Sequence, residues 1–107
     1  MTALLIDDDS SEQYTVSEPA CKIGSAPNNN VVISGEGVSP VHVRIETRGE
    51  DYYAALEPGG ASTRKVMFFM EIPNCTLNRK PLEARLTKLA NGDKLQIGSR
   101  LLKFHTI

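Results

Sequence analysis

Ser39 and His42 are the two residues whose types and spacing come nearest to a catalytic pair. A serine becomes a nucleophile when a histidine takes its proton, and that histidine needs an acidic residue to orient it. The sequence assigns no such third member, and it contains no GxSxG, HExxH or Walker A pattern. We therefore expect no enzyme activity and no catalytic residue, and we interpret the pair as structural.

Metal and cofactor sites find little support in the sequence. Only His42 and His105 could join Cys21 and Cys75 in a zinc site, which needs about three or four such ligands. The acidic run at residues 7–9 is interpreted as a solvated turn, because hard cations need about six oxygens from a shaped loop. The sequence predicts no metal, no cofactor and two buried, reduced cysteines.

The charge balance argues against one large class of partner. The chain has 107 residues, and 12 basic residues nearly balance 13 acidic ones, for a formal net charge of −1. A dedicated binder of nucleic acid or of an anionic membrane would carry a strong basic excess. No apolar run approaches the roughly 20 residues that span a bilayer, and no signal peptide is recognisable. We expect a single cytoplasmic domain over residues 1–107, without nucleic-acid binding or membrane insertion.

Short β-branched and aliphatic runs alternate with clusters of turn residues along most of the chain. The clearest run covers residues 41–47, where the odd-numbered residues would face one way and His42, Arg44 and Glu46 the other. This alternation is typical of a half-buried strand. Residues 52–56 follow after a tight turn, so the two segments should form a hairpin. Roughly ten short runs of this kind, without a long amphipathic helix, predict an all-β sandwich.

Several motifs also occur in a fixed order. Gly24 and Ser25 end a short strand, and an Asn-rich loop leads to an apolar run at residues 31–33. Ser39 and His42 follow in S-x-x-H spacing. The chain closes with Asn-Gly-Asp-Lys-Leu-Gln-Ile-Gly at residues 91–98 and a further apolar strand. Over residues 4–104 this order resembles the forkhead-associated (FHA) domain family.

The resemblance implies a β-sandwich of about eleven short, mostly antiparallel strands, whose loops at one end bind phosphothreonine peptides. Gly24 matches the glycine that ends the third strand of the family, and Ser39 matches a serine that hydrogen-bonds the phosphate. His42 matches a histidine that braces the binding loops without touching phosphate. Asn78 matches the asparagine of a late Asn-Gly turn. Gly24 and His42 are thereby predicted to support the site structurally.

Departures from the family pattern weaken the implied phosphate site. Ser25 stands where the family has its phosphate-binding arginine, Pro40 replaces the usual basic residue after the serine, and Arg79 replaces the glycine of the late turn. A charge-assisted hydrogen bond contributes roughly 1.5–3 kcal/mol, so losing the arginine should weaken binding at least about tenfold. The other peptide-binding asparagine of the family is missing from residues 59–64, where Ser62 or Thr63 would face the phosphate.

Two functions follow from these matches and departures. The favoured one is a non-enzymatic FHA-type interaction module with weakened or lost phosphothreonine recognition, acting as a scaffold or adaptor. The alternative is a phosphothreonine-peptide reader in signalling, which would use Ser39 and take positive charge from Arg64, Arg79 or Lys80. Either way the partner is a protein or a phosphopeptide, and neighbouring modules in a longer parent protein are compatible with both. The candidate phosphopeptide-binding residues are Ser25, Ser39, Ser62, Thr63, Arg64, Asn78 and Arg79.

The run Val-Met-Phe-Phe-Met at residues 66–70 bears on a third hypothesis, a purely structural sandwich. A continuous apolar run without alternation is typical of a strand buried on both faces, and we expect this run to belong to the core. If residues 66–70 were exposed instead, they would indicate a protein-interaction surface.

Overall fold

Two sheets pack against each other in the computed structural model, which describes residues 2–67 and 69–107. The described residues contain no helix, and therefore none that could span a membrane. The strands are β1 (Ala3–Asp7), β2 (Gln13–Thr15), β3 (Ala20–Gly24), β4 (Val31–Val32), β5 (Val43–Arg48), β6 (Asp51–Leu56), β7 (Thr63–Val66), β8 (Met70–Pro73), β9 (Cys75–Leu77), β10 (Lys80–Pro81), β11 (Thr87–Lys88), β12 (Lys94–Ile97) and β13 (Arg100–Thr106).

The two sheets have the order β10-β9-β12-β13-β1-β2 and β11-β6-β5-β3-β4. Every strand pair in them is antiparallel except β3 with β4, which is parallel. The prediction of an all-β sandwich with mostly antiparallel strands is therefore confirmed, with thirteen described strands against about eleven expected.

The core is formed by the alternate residues of the central strands that point between the sheets. Leu5 and Phe104 come from the larger sheet, and Ile45 and Tyr52 from the smaller one. The rings of Tyr52 and Phe104 meet edge to face with their centroids 5.4 Å apart, so the two sheets contact each other directly. Cys21 and Cys75 are both described, and both are buried free thiols, as predicted.

The predicted hairpin at residues 41–56 forms, but it begins later than the sequence pattern indicated. β5 and β6 pair from Val43 opposite Leu56 to Arg48 opposite Asp51. His42 was expected on the more exposed face with Arg44 and Glu46, yet none of its surface is accessible. It lies just before the first residue of β5, where the alternation of the strand no longer fixes the direction of a side chain.

Asp7 is not part of a solvated turn, and this expectation was wrong. It ends β1, only 2% of its surface is accessible, and its carboxylate accepts a hydrogen bond from Arg100 Nε at 2.8 Å. Burial opposes ionisation of Asp7, but hydrogen bonds from the Ser10 amide, Arg100 and the Asp9 amide outweigh burial and lower its pKa. The carboxylate thus ties the end of β1 to β13 and closes the following turn.

β7 and β8 form a separate two-stranded sheet, and its tip carries the apolar run expected in the core. The exposed fractions are 72% for Met67, 80% for Phe69 and 49% for Met70. The expectation of burial was therefore wrong for these residues, while Phe68 lies outside the described residues. The reason is that the hairpin belongs to neither main sheet, so neither sheet covers its tip.

Candidate functional site

The candidate site begins where the end of β3 touches the loop that precedes β5. The amides of Ser25 and Ala26 donate to the carbonyls of Ser39 and Pro40, each at 3.1 Å. A Cβ on Gly24 would lie 2.2 Å from the Pro40 carbonyl oxygen, so only glycine permits this approach. Gly24 thus brings the two loops into hydrogen-bonding contact.

Asn29 strengthens the same contact between the two loops, a role that the sequence analysis did not predict. Its side-chain amide donates to the carbonyl of Pro40 at 2.6 Å and to that of Ala26 at 2.9 Å. In the same loop, Asn30 Oδ1 accepts from the Lys22 amide at 2.8 Å. These asparagines form hydrogen bonds to backbone groups that are not paired within a strand. The Asn-rich composition of the loop was the sequence feature that could have indicated this role.

His42 connects two loops across the centre of the site. Its Nδ1 accepts from the Ser39 amide at 3.0 Å, which leaves the ring proton on Nε2, and Nε2 donates to the Ala61 carbonyl at 2.9 Å. Burial lowers the pKa of His42, although the Ala61 carbonyl acts in the opposite direction. The neutral ring therefore links the loop of Ser39 to the loop of Ala61.

Ser39 is placed to offer a single hydrogen-bond donor. Its Oγ accepts from the Ala61 amide at 3.1 Å, so the hydroxyl proton can point away from that amide. The Ser39 amide is occupied by His42, and Pro40 has no amide proton. Ser62 and Thr63 follow Ala61 and are both exposed. What Ser39, Ser62 and Thr63 can supply to a ligand is thus neutral hydroxyl groups.

No cation belongs to the loops around Ser39. Residues 25–30, 39–41 and 57–62 contain neither lysine nor arginine. The one acidic residue among them, Glu57, accepts a hydrogen bond from Arg44 Nη1 at 3.1 Å. These loops therefore offer a dianion no cationic side chain of their own.

The basic candidates lie elsewhere. Arg64 and Arg79 line one pocket of about 510 Å³ together with Lys94, and its described lining residues do not include Ser25 or Ser39. Lys80 lines a second pocket, of about 610 Å³. Arg64 Nη1 reaches the carbonyl of Glu36, in the loop that leads to Ser39, at 3.5 Å, whereas Arg79 lies in the turn before β10 and Lys80 begins that strand.

The Asn78 side chain is hydrogen-bonded within the domain. Its Oδ1 accepts from the Lys94 amide at 2.9 Å, and its Nδ2 donates to Asp93 at 3.0 Å. The side chain thus fastens the β9–β10 turn to the start of β12.

Asn74 is a buried residue of the site that the sequence prediction missed. Its Nδ2 donates to the carbonyls of Gly37 at 2.8 Å and Ala61 at 3.0 Å. Its backbone amide donates to the Ser62 carbonyl at 2.9 Å. Because Ser62 precedes β7 and Asn74 follows β8, this bond closes the base of the hairpin. The sequence analysis considered only residues 59–64, which contain no asparagine; the Pro73-Asn74 turn signal was the available clue to Asn74.

A family model described as FHA domain matches residues 21–98. The chain belongs to the FHA domain family. FHA domains are protein-interaction modules known for binding phosphothreonine peptides, and they are not enzymes. No curated protein matches the chain. Among residues 2–67 and 69–107, no three potential metal-ligating side chains of His, Cys, Asp or Glu come together.

Solved structures agree with this assignment at the level of the fold. A structure from a study of phosphothreonine-dependent FHA domain interactions superposes with a TM-score of 0.80 at 22% identity, covering 100% of this chain and 98% of that chain. The FHA domain of the CT664 protein from Chlamydia trachomatis gives 0.79 at 13% identity, with coverages of 100% and 99%. The N-terminal FHA domain of S. cerevisiae Rad53p, in complex with a phosphothreonine peptide, gives 0.78 at 11% identity, with coverages of 100% and 94%.

The neutral state of His42 makes the stability of this FHA domain depend on pH. Because folding lowers its pKa, its contribution is complete above its unfolded pKa of about 6.5 and is lost as the pH falls through its folded value. We expect the free energy of unfolding to decrease from pH 7.5 towards pH 5, as measured by urea denaturation.

The variant His42→Asn should be about 1–3 kcal/mol less stable at pH 7.5, because the Ser39 amide loses its acceptor and the Ala61 carbonyl keeps only the donor of Asn74. It should also lose much of the pH dependence between pH 7.5 and 5. His105→Asn serves as the control and should keep that dependence. An unchanged slope in His42→Asn would contradict the assignment.

Proposed function

We propose that this FHA domain is a non-enzymatic protein-interaction module with weakened or lost phosphothreonine recognition, and that it acts as a scaffold or adaptor. The observation that carries the proposal is the absence of lysine and arginine from the loops around Ser39. A phosphothreonine carries nearly two negative charges and requires charge-assisted donors to replace its water.

The groups present around Ser39 supply much less. One serine hydroxyl gives the phosphate a single hydrogen bond, worth roughly 1.5–3 kcal/mol because its acceptor is charged. An arginine would add two such bonds together with a full positive charge. The amides of Ser25 and Ala26 are already bonded to the facing loop. The exposed Met67 and Phe69 support a role in protein interaction, because apolar side chains grouped on a surface commonly mark interfaces.

The alternative function is a phosphothreonine reader that uses Ser39 and nearby basic residues. It is supported by kinship to FHA domains that bind phosphothreonine peptides. It requires Arg64 or Arg79 to act at Ser39, whereas both side chains line a pocket with Lys94. The absence of local charge therefore favours the first function.

Titration of the domain with a degenerate phosphothreonine peptide library, against the same peptides without phosphate, tests the proposal. We expect no phosphate-dependent binding at the loops around Ser39, so Ser39→Ala should leave the affinities unchanged. Binding that requires phosphate and is lost in Ser39→Ala, but kept in the matched control Ser10→Ala in the exposed turn after β1, would establish the reader instead.

A further inference from the structure

We infer that Arg64, Arg79 and Lys94 form a second ligand site, on the outer face of the larger sheet, which binds acidic side chains of an extended partner segment. The ligand chemistry is a carboxylate or a phosphate held by two guanidinium groups and an ammonium group. This inference rests on the proposed function only in taking the domain to be a protein-interaction module.

The site is assembled from three separate elements. Arg64 comes from β7, Arg79 from the turn between β9 and β10, and Lys94 from the start of β12. Thr76 and Gln96 also line the pocket, and they are joined by a hydrogen bond of 2.9 Å from Thr76 Oγ1 to Gln96 Oε1. The result is a pocket of about 510 Å³ lined by three basic residues and by both polar and apolar surface.

Arg79 occupies a backbone position that favours glycine. Asn78 and Arg79 have φ angles of +50° and +71° and form the two-residue connection between β9 and β10. Asparagine tolerates this left-handed region, but arginine rarely adopts it. A strained residue beside a pocket is a recognised indication of function, and Arg79 is one of the residues that line this pocket.

Arg64 has unused hydrogen-bonding capacity. Its Nε is buried and has no partner among the described residues, and its Nη1 reaches only the Glu36 carbonyl at 3.5 Å. Lys94 is paired with Asp8 at 3.1 Å, and both side chains are well exposed. A surface ion pair of this kind contributes little, so Lys94 can exchange Asp8 for another anion.

A protein segment fits this surface better than a nucleic acid or a membrane does. The net charge of −1 disfavours the latter two, which attract proteins with a basic excess. The β7–β8 register puts Arg64, Val66, Met70 and Ile72 on one face of the hairpin. An extended segment can therefore place an acidic residue in the pocket and an apolar one along the hairpin.

Nuclear magnetic resonance titration of the full chain with two probes tests the inference. The probes are an oligoglutamate peptide of about six residues and a phosphoserine peptide of equal length. We expect both to shift the amides of Lys94, Gln96 and Ser99, with affinity that falls as salt is added. Carboxylate and phosphate sources are distinguished by which probe binds more tightly.

Two variants and one matched control sharpen the test. Arg64→Glu and Arg79→Gly should each weaken binding at least about tenfold. Lys65→Glu makes the same charge change on the opposite face of the hairpin and should weaken binding less than about threefold. Arg79→Gly should leave Tm unchanged or higher, because glycine relieves the strained φ.

The inference is overturned if Lys65→Glu weakens binding as much as Arg64→Glu, or if neither probe shifts the pocket amides. Tighter binding to phosphatidylserine vesicles or to RNA than to either peptide would also overturn it. Phosphate-dependent shifts at Ser25 and Ser39 would instead contradict the proposed function, so the two failures are distinguishable.

Discussion

The variant Ser25→Arg should bind phosphothreonine peptides at least about tenfold more tightly than the natural chain. Ser25 follows the close contact between Gly24 and Pro40 and is only partly buried, so a longer side chain can extend towards solvent beside Ser39. An arginine there would add charge-assisted hydrogen bonds of roughly 1.5–3 kcal/mol to the neutral donor that Ser39 offers. The gain corresponds to about tenfold to more than a hundredfold in Kd.

The measurement is the Kd for matched phosphothreonine and unmodified peptides by calorimetry. Only the phosphorylated peptides should gain affinity. Asn28→Arg adds the same charge to the same exposed loop and serves as the control, with an expected gain below about threefold. An equal gain in the two variants would mean that general charge acts, and not a phosphate site at Ser39.

Replacing Gly24 by alanine should lower the free energy of unfolding by about 3 kcal/mol. The new Cβ would lie 2.2 Å from the Pro40 oxygen and 2.9 Å from the Ser39 oxygen, both of which are backbone atoms. The loops must separate, which lengthens the bonds from Ser25 and Ala26 of about 1 kcal/mol each and adds the strain of overpacking.

Thermal and urea denaturation measure this loss, which should lower Tm by more than about 10 °C in a domain of this size. The control is Gly59→Ala, where the nearest atom to the added Cβ is 3.8 Å away. We expect the control to change stability by less than about 1 kcal/mol. If the two variants are equally stable, the contact at Gly24 does not hold the loops together.

The strands could be predicted from the sequence because their pattern depends on residues that are neighbours in the chain. The pairing of β5 with β6 follows from alternation and from a tight turn, both of which are local. The burial of Asp7 was not readable, since it depends on Arg100, which the chain brings to it from the other end of the sequence. From its polarity alone, Asp7 was expected to be exposed to solvent. Its hydrogen bond to Arg100 is what allows it to be buried instead.

The site shows the same division between local and non-local information. Gly24, Ser39 and His42 could be singled out from the sequence because their motifs are compact, and the structure brings them into one network of loop contacts. Asn74 was missed because the β7–β8 hairpin separates it in sequence from Ser62, to which it is hydrogen-bonded. Apolar composition indicated a core strand for that hairpin, but composition does not say whether another element packs on it.

The isolation of the β7–β8 hairpin has a consequence for its dynamics. In the described part of the chain, the backbone ladder of these strands joins them only to each other, and a lone two-stranded hairpin is marginally stable in water. It can therefore open while the sandwich stays folded, and its amide protons should exchange with solvent far faster than those of β5 or β13. Any partner that needs the closed hairpin binds in proportion to the closed population, so mutations at its turn can tune affinity without touching the partner.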